Sequence, residues 1–321
     1  MKPEPFIPAF GLRNPHLQTL WSSLIRQSPL LKTRRERVEL NDGDFIDLDW
    51  AAPDDTASPI VLIIHGLAGS IHSPYVSGLV THLTHSGMQP VVMHLRGCSG
   101  EINRLARLYH SGETGDLNFI IERIRASYPQ RLLYAIGFSL GGNMLLKWLG
   151  ECAAENPLQA AVAVSVPFDL YRSALQLERG VSRIYQWNLL RSLKCTIRAK
   201  VEHSEIRALL PRLNKLKNFY QFDDAITAPL HGFAGAMDYY QRNSCRQFLI
   251  HIRTPTLILH ALDDPFLPQE YIPGTDELSA SVHLELSPHG GHVGFVSGTM
   301  YAPQYWLESR ITAFLQQNLL A

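Results

Sequence analysis

AIGFSLGGNM, residues 135–144, places a serine between two glycines at the point where an apolar run stops. The preceding RLLYAIGF reads as a buried strand, and the following NMLLKWLGECAAE has the apolar spacing of a helix. Strand therefore turns into helix at Ser139. A turn that sharp needs room, and Gly137 and Gly141 let neighbouring backbone approach without a Cβ in the way.

Outward from this turn the sequence alternates between strand and helix patterns. RRERVEL and FIDLDWA flank NDGD with alternating apolar residues, which predicts a β-hairpin turning at Asp42-Gly43. The apolar runs at 60–66 (IVLIIHG) and 89–95 (QPVVMHL) suit strands covered on both faces, with a helix around Tyr75 to Thr84 between them. A helix in DLNFIIERIRASY precedes the central strand, and another strand, LQAAVAVSVP, follows at 158–167. Such alternation implies an α/β fold: a mostly parallel central sheet flanked by helices. From about 169 to 250 the pattern changes to Arg- and Leu-rich helical segments, and strand-type sequence resumes at TPTLILHAL (254–262) and VHLELSP (282–288) before a closing helix in YWLESRITAFLQQ. The expected organisation is an N-terminal arm over 1–33, a core over 34–168 and 251–321, and a helical lid inserted at 169–250. Within the arm, Leu17, Leu20, Trp21, Leu24 and Ile25 fall on one helical face, which is expected to pack on the main domain.

The chain of 321 residues is 45% hydrophobic, 18% charged and formally neutral, the balance of a globular protein with a substantial core. Its four cysteines form no CxxC pair, so neither a disulfide framework nor a structural zinc site is expected. There is no apolar run of membrane-spanning length and no secretory pattern at residue 1, and the expected location is cytoplasmic. Neutrality hides an asymmetry: residues 171–218 carry eleven Lys and Arg against three Glu. A charge run of this kind reads first as a solvated helical face, and it lacks the interleaved aromatics that would stack on bases, so no nucleic-acid partner is expected. Weak peripheral contact with an anionic membrane is the other reading of the same charge.

A serine hydroxyl becomes a nucleophile only when an imidazole takes its proton and a carboxylate holds that imidazole in the right tautomer. A lone G-x-S-x-G arises by chance in about one in ten chains of this length, so the partners decide. Ligands in open α/β folds bind at the carboxyl ends of parallel strands. Two later strands end there in suitable residues: TPTLILHAL runs into DDPFLP, and VHLELSP runs into HGGHVGF. The chain order is then Ser, Asp, His, as expected when a nucleophile elbow sits on this fold. Asp264 is favoured over Asp263, with Asp169 a third candidate, and His292 is favoured over His289. HGLAGS, directly after the 60–66 strand, supplies an oxyanion loop shaped by His65 and Gly66. There the backbone N–H of Leu67 would join that of Leu140, the residue after the serine.

Taken together, NPHLQT, HGLAGS, HLRGCSG, GFSLGGNM, DDPF and GGHVGF resemble the α/β-hydrolase superfamily, and within it the YheT-type branch of bacterial esterases and eukaryotic abhydrolase-domain lipid hydrolases. The resemblance runs from the hairpin near residue 34 to the closing helix. It implies a triad of Ser139, Asp264 and His292, which settles both ambiguous pairs. Some relatives carry an H-x-x-x-x-D acyltransferase signature, but no histidine here has an Asp five positions on, since His110 reaches only Asp116.

Other motifs carry less. His82 with His85, and His289 with His292, have H-x-x-H spacing without an evident third ligand, so no metal is expected. Neither GxGxxG nor a phosphate loop is present, and no cofactor is required. Cys98 reads as a small buried residue. The leading expectation is a serine carboxylesterase or lipase acting on a small-molecule, lipid-like ester through an acyl-enzyme. Thioesterase or lactonase chemistry would use the same groups, and a noncatalytic ligand-binding protein on the same scaffold is the alternative from another class.

Overall fold

The computed structural model describes residues 5–51 and 57–319. A short helix α1 (Pro15–Leu20), capped by the Asn14 side chain, runs into one wide turn over Trp21–Ile25. The chain next forms the antiparallel hairpin of β1 (Thr33–Glu39) and β2 (Phe45–Ala51), closed around Gly43 at φ +85°. The acids of β2 are buried, and register explains how: Arg35 lies opposite Asp49 and Arg37 opposite Asp47, each pair joined by two hydrogen bonds of 2.8 to 2.9 Å.

β3 (Ile60–Ile64), α2 (Pro74–His85), β4 (Gln89–Met93), α3 (Thr114–Ser127), β5 (Leu133–Phe138), α4 (Leu140–Cys152) and β6 (Leu158–Val164) then alternate as the apolar pattern predicts. After β6 come the helices α5 (Leu170–Gln176), α6 (Ser182–Ala199), α7 (Ser204–Leu213), α8 (Phe219–Phe222), α9 (Ala228–Leu230) and α10 (Ala236–Asn243). The sheet resumes with β7 (Thr256–Ala261) and β8 (Val282–Ser287), and the chain ends in a two-stranded ribbon, β9 (Val296–Gly298) with β10 (Pro303–Tyr305), and in α11 (Trp306–Gln317). The ribbon had no signal in the sequence, because three residues are too few to show a period.

Eight strands form one sheet in the order β1-β2-β4-β3-β5-β6-β7-β8, antiparallel at its first two junctions and parallel thereafter. Helices cover both faces, so the central strands are apolar on both. In β3, Ile60, Leu62 and Ile64 join one apolar cluster while Val61 and Ile63 join the other. The helices after β6 carry a third cluster, with Ile197, Ile206, Phe222 and Ile226 at its centre. Because β3, β5, β6, β7 and β8 run parallel, their carboxyl ends all reach one edge, and every candidate site residue lies just past one of them.

Close approach of β5 and α4 to β3 leaves no space at two glycines. A Cβ on Gly137 would lie 2.4 Å from the Gly141 carbonyl oxygen, and one on Gly141 would lie 2.5 Å from that of Ile64. Backbone cannot yield as a side chain can. Gly141→Ala is therefore expected to destabilise the protein by about 2 kcal/mol or more, seen as a lowered midpoint in thermal unfolding.

Candidate active site

Ser139 sits between β5 and α4 at φ +51° and ψ −117°, a strained conformation for a residue with a Cβ. Its backbone N–H donates to the Val164 carbonyl at 2.8 Å, which fixes the turn to β6 and leaves the side chain at the sheet edge. Loops after β7 and β8 bring Asp264 and His292 to the same edge. His292 Nε2 lies 2.9 Å from Ser139 Oγ, and its Nδ1 lies 2.9 and 3.1 Å from the two oxygens of Asp264.

The tautomer follows from this geometry. A carboxylate only accepts, so Nδ1–H donates to Asp264, and Nε2 is left as the acceptor for the serine hydroxyl. Asp264 is itself held: its Oδ1 accepts from the Phe266 N–H at 2.8 Å, and its side chain is almost wholly buried. Such an arrangement can remove the Ser139 proton as the oxygen attacks an electrophile.

The two residues expected to supply oxyanion amides, Leu67 and Leu140, lie on the same cavity as Ser139. Leu140 is the first residue of α4, so its N–H has no acceptor within the helix. On the β3 loop the neighbours of Leu67 are committed: Gly66 N–H donates to Tyr75 Oη at 2.9 Å and Ala68 N–H to Tyr109 Oη at 2.8 Å. Leu67 and Leu140 both line the cavity that contains Ser139. His65 braces the loop from beneath, its Nδ1–H donating to the Gly66 carbonyl at 2.7 Å and its Nε2 accepting from Leu95 N–H at 3.2 Å. Burial pushes its pKa down to about 3, so the ring stays neutral.

Sequence comparison matches residues 59–299 to the family described as having the α/β-hydrolase fold. "Putative esterase YheT" of Escherichia coli is 43% identical over 98% of this chain and 94% of its own length. The chain belongs to the α/β-hydrolase family, in its YheT-like branch. Phospholipase ABHD3 of Bos taurus is 29% identical over 93% of this chain and 75% of its own length. Among solved structures, the Pyrococcus furiosus esterase Pf2001 superposes with a TM-score of 0.57 across 98% of this chain and 99% of that one, at 14% identity, a likeness of fold alone.

In this α/β-hydrolase the remaining candidates lie beside the site without joining it. Asp263 turns away from His292: one oxygen accepts from Gly291 N–H at 2.9 Å and the other lies 3.3 Å from His289 Nδ1. Adjacent acids thus serve two histidines of one loop. Asp169 caps α5 by accepting from Arg172 N–H. Burial raises the Cys98 thiol to about 12, which makes it a poor nucleophile.

Residues that sequence reasoning gave no role complete the setting. Phe266 stacks on the His292 ring at 3.8 Å and 9°, and Thr19 Oγ1 accepts from His292 N–H at 2.9 Å. Gln18 bonds both sides of Val296 and also the Leu12 carbonyl, tying α1 to the loop that carries His292. Here the arm departs from expectation, because Gln18, Thr19 and Ser22 are buried while Leu17, Leu24 and Ile25 are exposed. Its polar side packs, since that side satisfies the strained backbone after β8, where Val293 and Phe295 both have positive φ. A separate cluster gathers His110, Glu113 and His231, with His110 Nε2 3.3 Å from Glu113. Arg107 pairs with the same Glu113 oxygen, so the group reads as a junction between the core and the helices after β6.

Ser139 opens into a cavity of about 760 Å³, mostly apolar, between the sheet edge and the helices after β6. Among the described residues one acid lines it: Asp223, which accepts from Tyr240 Oη at 2.7 Å and Thr227 Oγ1 at 2.6 Å. Burial raises its pKa from 3.8 to about 6. The native state therefore binds this proton more tightly than the unfolded chain. The resulting destabilisation is absent below the ordinary carboxyl range and complete above about pH 6. Asp223→Asn, which keeps one acceptor, should raise the unfolding midpoint by a few degrees at about pH 8, for at most roughly 3 kcal/mol. At about pH 3 it should change little, and calorimetry at the two pH values checks the sign.

Proposed function

We propose that this α/β-hydrolase is a serine hydrolase of carboxylic esters, with Ser139 as nucleophile, His292 as general base and acid, and Asp264 as the group that orients it. The observation that carries the reading is the unbroken hydrogen-bonded line from Asp264 through His292 to Ser139 at the head of an apolar cavity. Relatives named as an esterase and a phospholipase support the same class of bond.

His292 Nε2 takes the hydroxyl proton as Ser139 Oγ attacks the ester carbonyl carbon. The negative charge that develops on the carbonyl oxygen is met by the N–H groups of Leu67 and Leu140. As the tetrahedral adduct collapses, the alcohol leaves with the proton held by His292. Water then repeats the sequence on the acyl-enzyme, giving a carboxylic acid and free Ser139. This chemistry calls for no cofactor.

The helices from α5 to α10 serve as the lid. Leu170, Ala174 and Leu177 give the cavity an apolar wall suited to an acyl chain, so the substrate is a small-molecule, lipid-like ester. Four free cysteines support the cytoplasmic expectation.

Ser139→Ala should lower kcat for p-nitrophenyl butyrate by roughly 10⁴-fold or more with an unchanged circular dichroism spectrum. A rate equal to that of the unaltered protein would remove the proposal. Labelling by a fluorophosphonate probe should map to Ser139 and vanish in the same variant.

A further inference from the structure

The rim of the cavity is more apolar than a soluble surface calls for. Leu24 from the arm, with Ile184 and Trp187 of α6, all line the cavity and are nonetheless 75%, 63% and 62% exposed. Ile25 and Val181, on the same two segments, are exposed as well. Arm and α6 are joined, since His16 Nδ1 lies 3.1 Å from Tyr185 Oη and the two rings stack. Leu24, Ile184 and Trp187 therefore share one mouth, and Ile25 and Val181 flank its residues along the chain. Contiguous large apolar groups around a pocket entrance mark a surface that meets another apolar phase.

Charge says which phase. Helix α6 contains Arg183, Arg191, Lys194 and Arg198 and no acidic residue, and exposed Arg179 lies just before it. Its buried side, with Tyr185, Leu190, Leu193 and Ile197, packs in the third apolar cluster, so Arg183, Arg191 and Arg198 are left on the outer side with Ile184 and Trp187. The Arg191 guanidinium sits 5.6 Å over the Trp187 ring. An apolar rim interleaved with arginines and carrying a tryptophan suits the boundary between acyl chains and anionic headgroups. A second copy of the chain fits poorly, because a symmetric contact would set these arginines against their own equivalents.

We propose that the mouth formed by Trp21–Ile25 and α6 docks on an anionic lipid bilayer, so that an ester passes from the membrane into the cavity without crossing water. The arm is built for this. Packing through Gln18 and Thr19 leaves Leu24 and Ile25 turned outward beside the entrance. The inference rests on the ester-hydrolase reading, and the experiment separates the two.

Flotation with phosphatidylcholine vesicles, with and without phosphatidylglycerol, is measured for Ser139→Ala, which keeps the lipid intact. Binding is expected only with phosphatidylglycerol, and it should weaken as salt rises. In the same background, Arg183→Glu/Arg191→Glu should weaken it by roughly tenfold or more, and Ile25→Ser/Val181→Ser by several-fold. With Ser139 restored, both double variants should hydrolyse soluble p-nitrophenyl butyrate at the unaltered rate. That assay reports the fold and tests the ester-hydrolase reading by itself. The proposal is overturned by absence of vesicle binding, by equal binding to both vesicle types, or by binding indifferent to salt. A dimer that is lost in Ile25→Ser/Val181→Ser, without vesicle binding, would assign the patch to a second copy and overturn it equally.

Discussion

Holding Ser139 at positive φ costs of order 1–3 kcal/mol, and the fold sustains that cost through close packing that only glycine allows. β5 and α4 meet at Gly137 and Gly141, and Gly141 also presses on Ile64 of β3. The same contact sets the distance between the hydroxyl and the β3 loop. Backbone contact thus brings Leu140 beside the β3 loop, and the Tyr75, Tyr109 and His65 side chains hold that loop around Leu67. Moving either glycine would shift Ser139 and its neighbouring amides together.

The histidine is positioned by a different means. Its loop contains Gly290 and Gly291 followed by Val293 and Phe295, all at positive φ, and so cannot form a regular ladder. Four N–H groups from Gly291 to the start of β9 find acceptors outside it: Gly291 in Asp263, His292 in Thr19, Val293 in Ser165 and Val296 in Gln18. Two of those four acceptors come from α1, far away in sequence. The N-terminal arm is thus part of the site's support, and its polar side is buried because the loop needs acceptors.

What was legible in the sequence follows the range of each interaction. The hairpin at Asp42-Gly43, the two-sided apolar strands and the elbow at Ser139 are local patterns, and the structure has them where the pattern put them. The order Ser, Asp, His was readable for the same reason, since each lies just past a recognisable strand. Choosing Asp264 over its neighbour needed the family resemblance, because adjacent residues share every local signal and differ only in which loop atoms they reach. The arm was misleading in orientation: Leu17, Leu20, Trp21, Leu24 and Ile25 share a face by spacing, but the decisive partners of α1 lie some 275 residues on, at His292 and Val296. Phe266 against His292, and His231 against His110, are equally long-range and left no trace in spacing.

The cavity lies where two cores meet. Two apolar clusters flank the sheet, and a third belongs to the helices after β6, reached from below by Leu67 and Phe266. Where such cores abut without merging, groups from each side fill the gap, and polar ones must find partners there: Tyr239 Oη bonds Ser111 of the core at 2.9 Å, and Asp223 takes Tyr240 and Thr227. The Ser139, Asp264 and His292 cluster is thus built on the sheet edge, while most of the chamber above it is built by the helices after β6. Substitutions within the helical cluster alter the wall that an acyl chain would touch, and the elbow, the histidine loop and the β3 loop are anchored to the sheet and the arm instead.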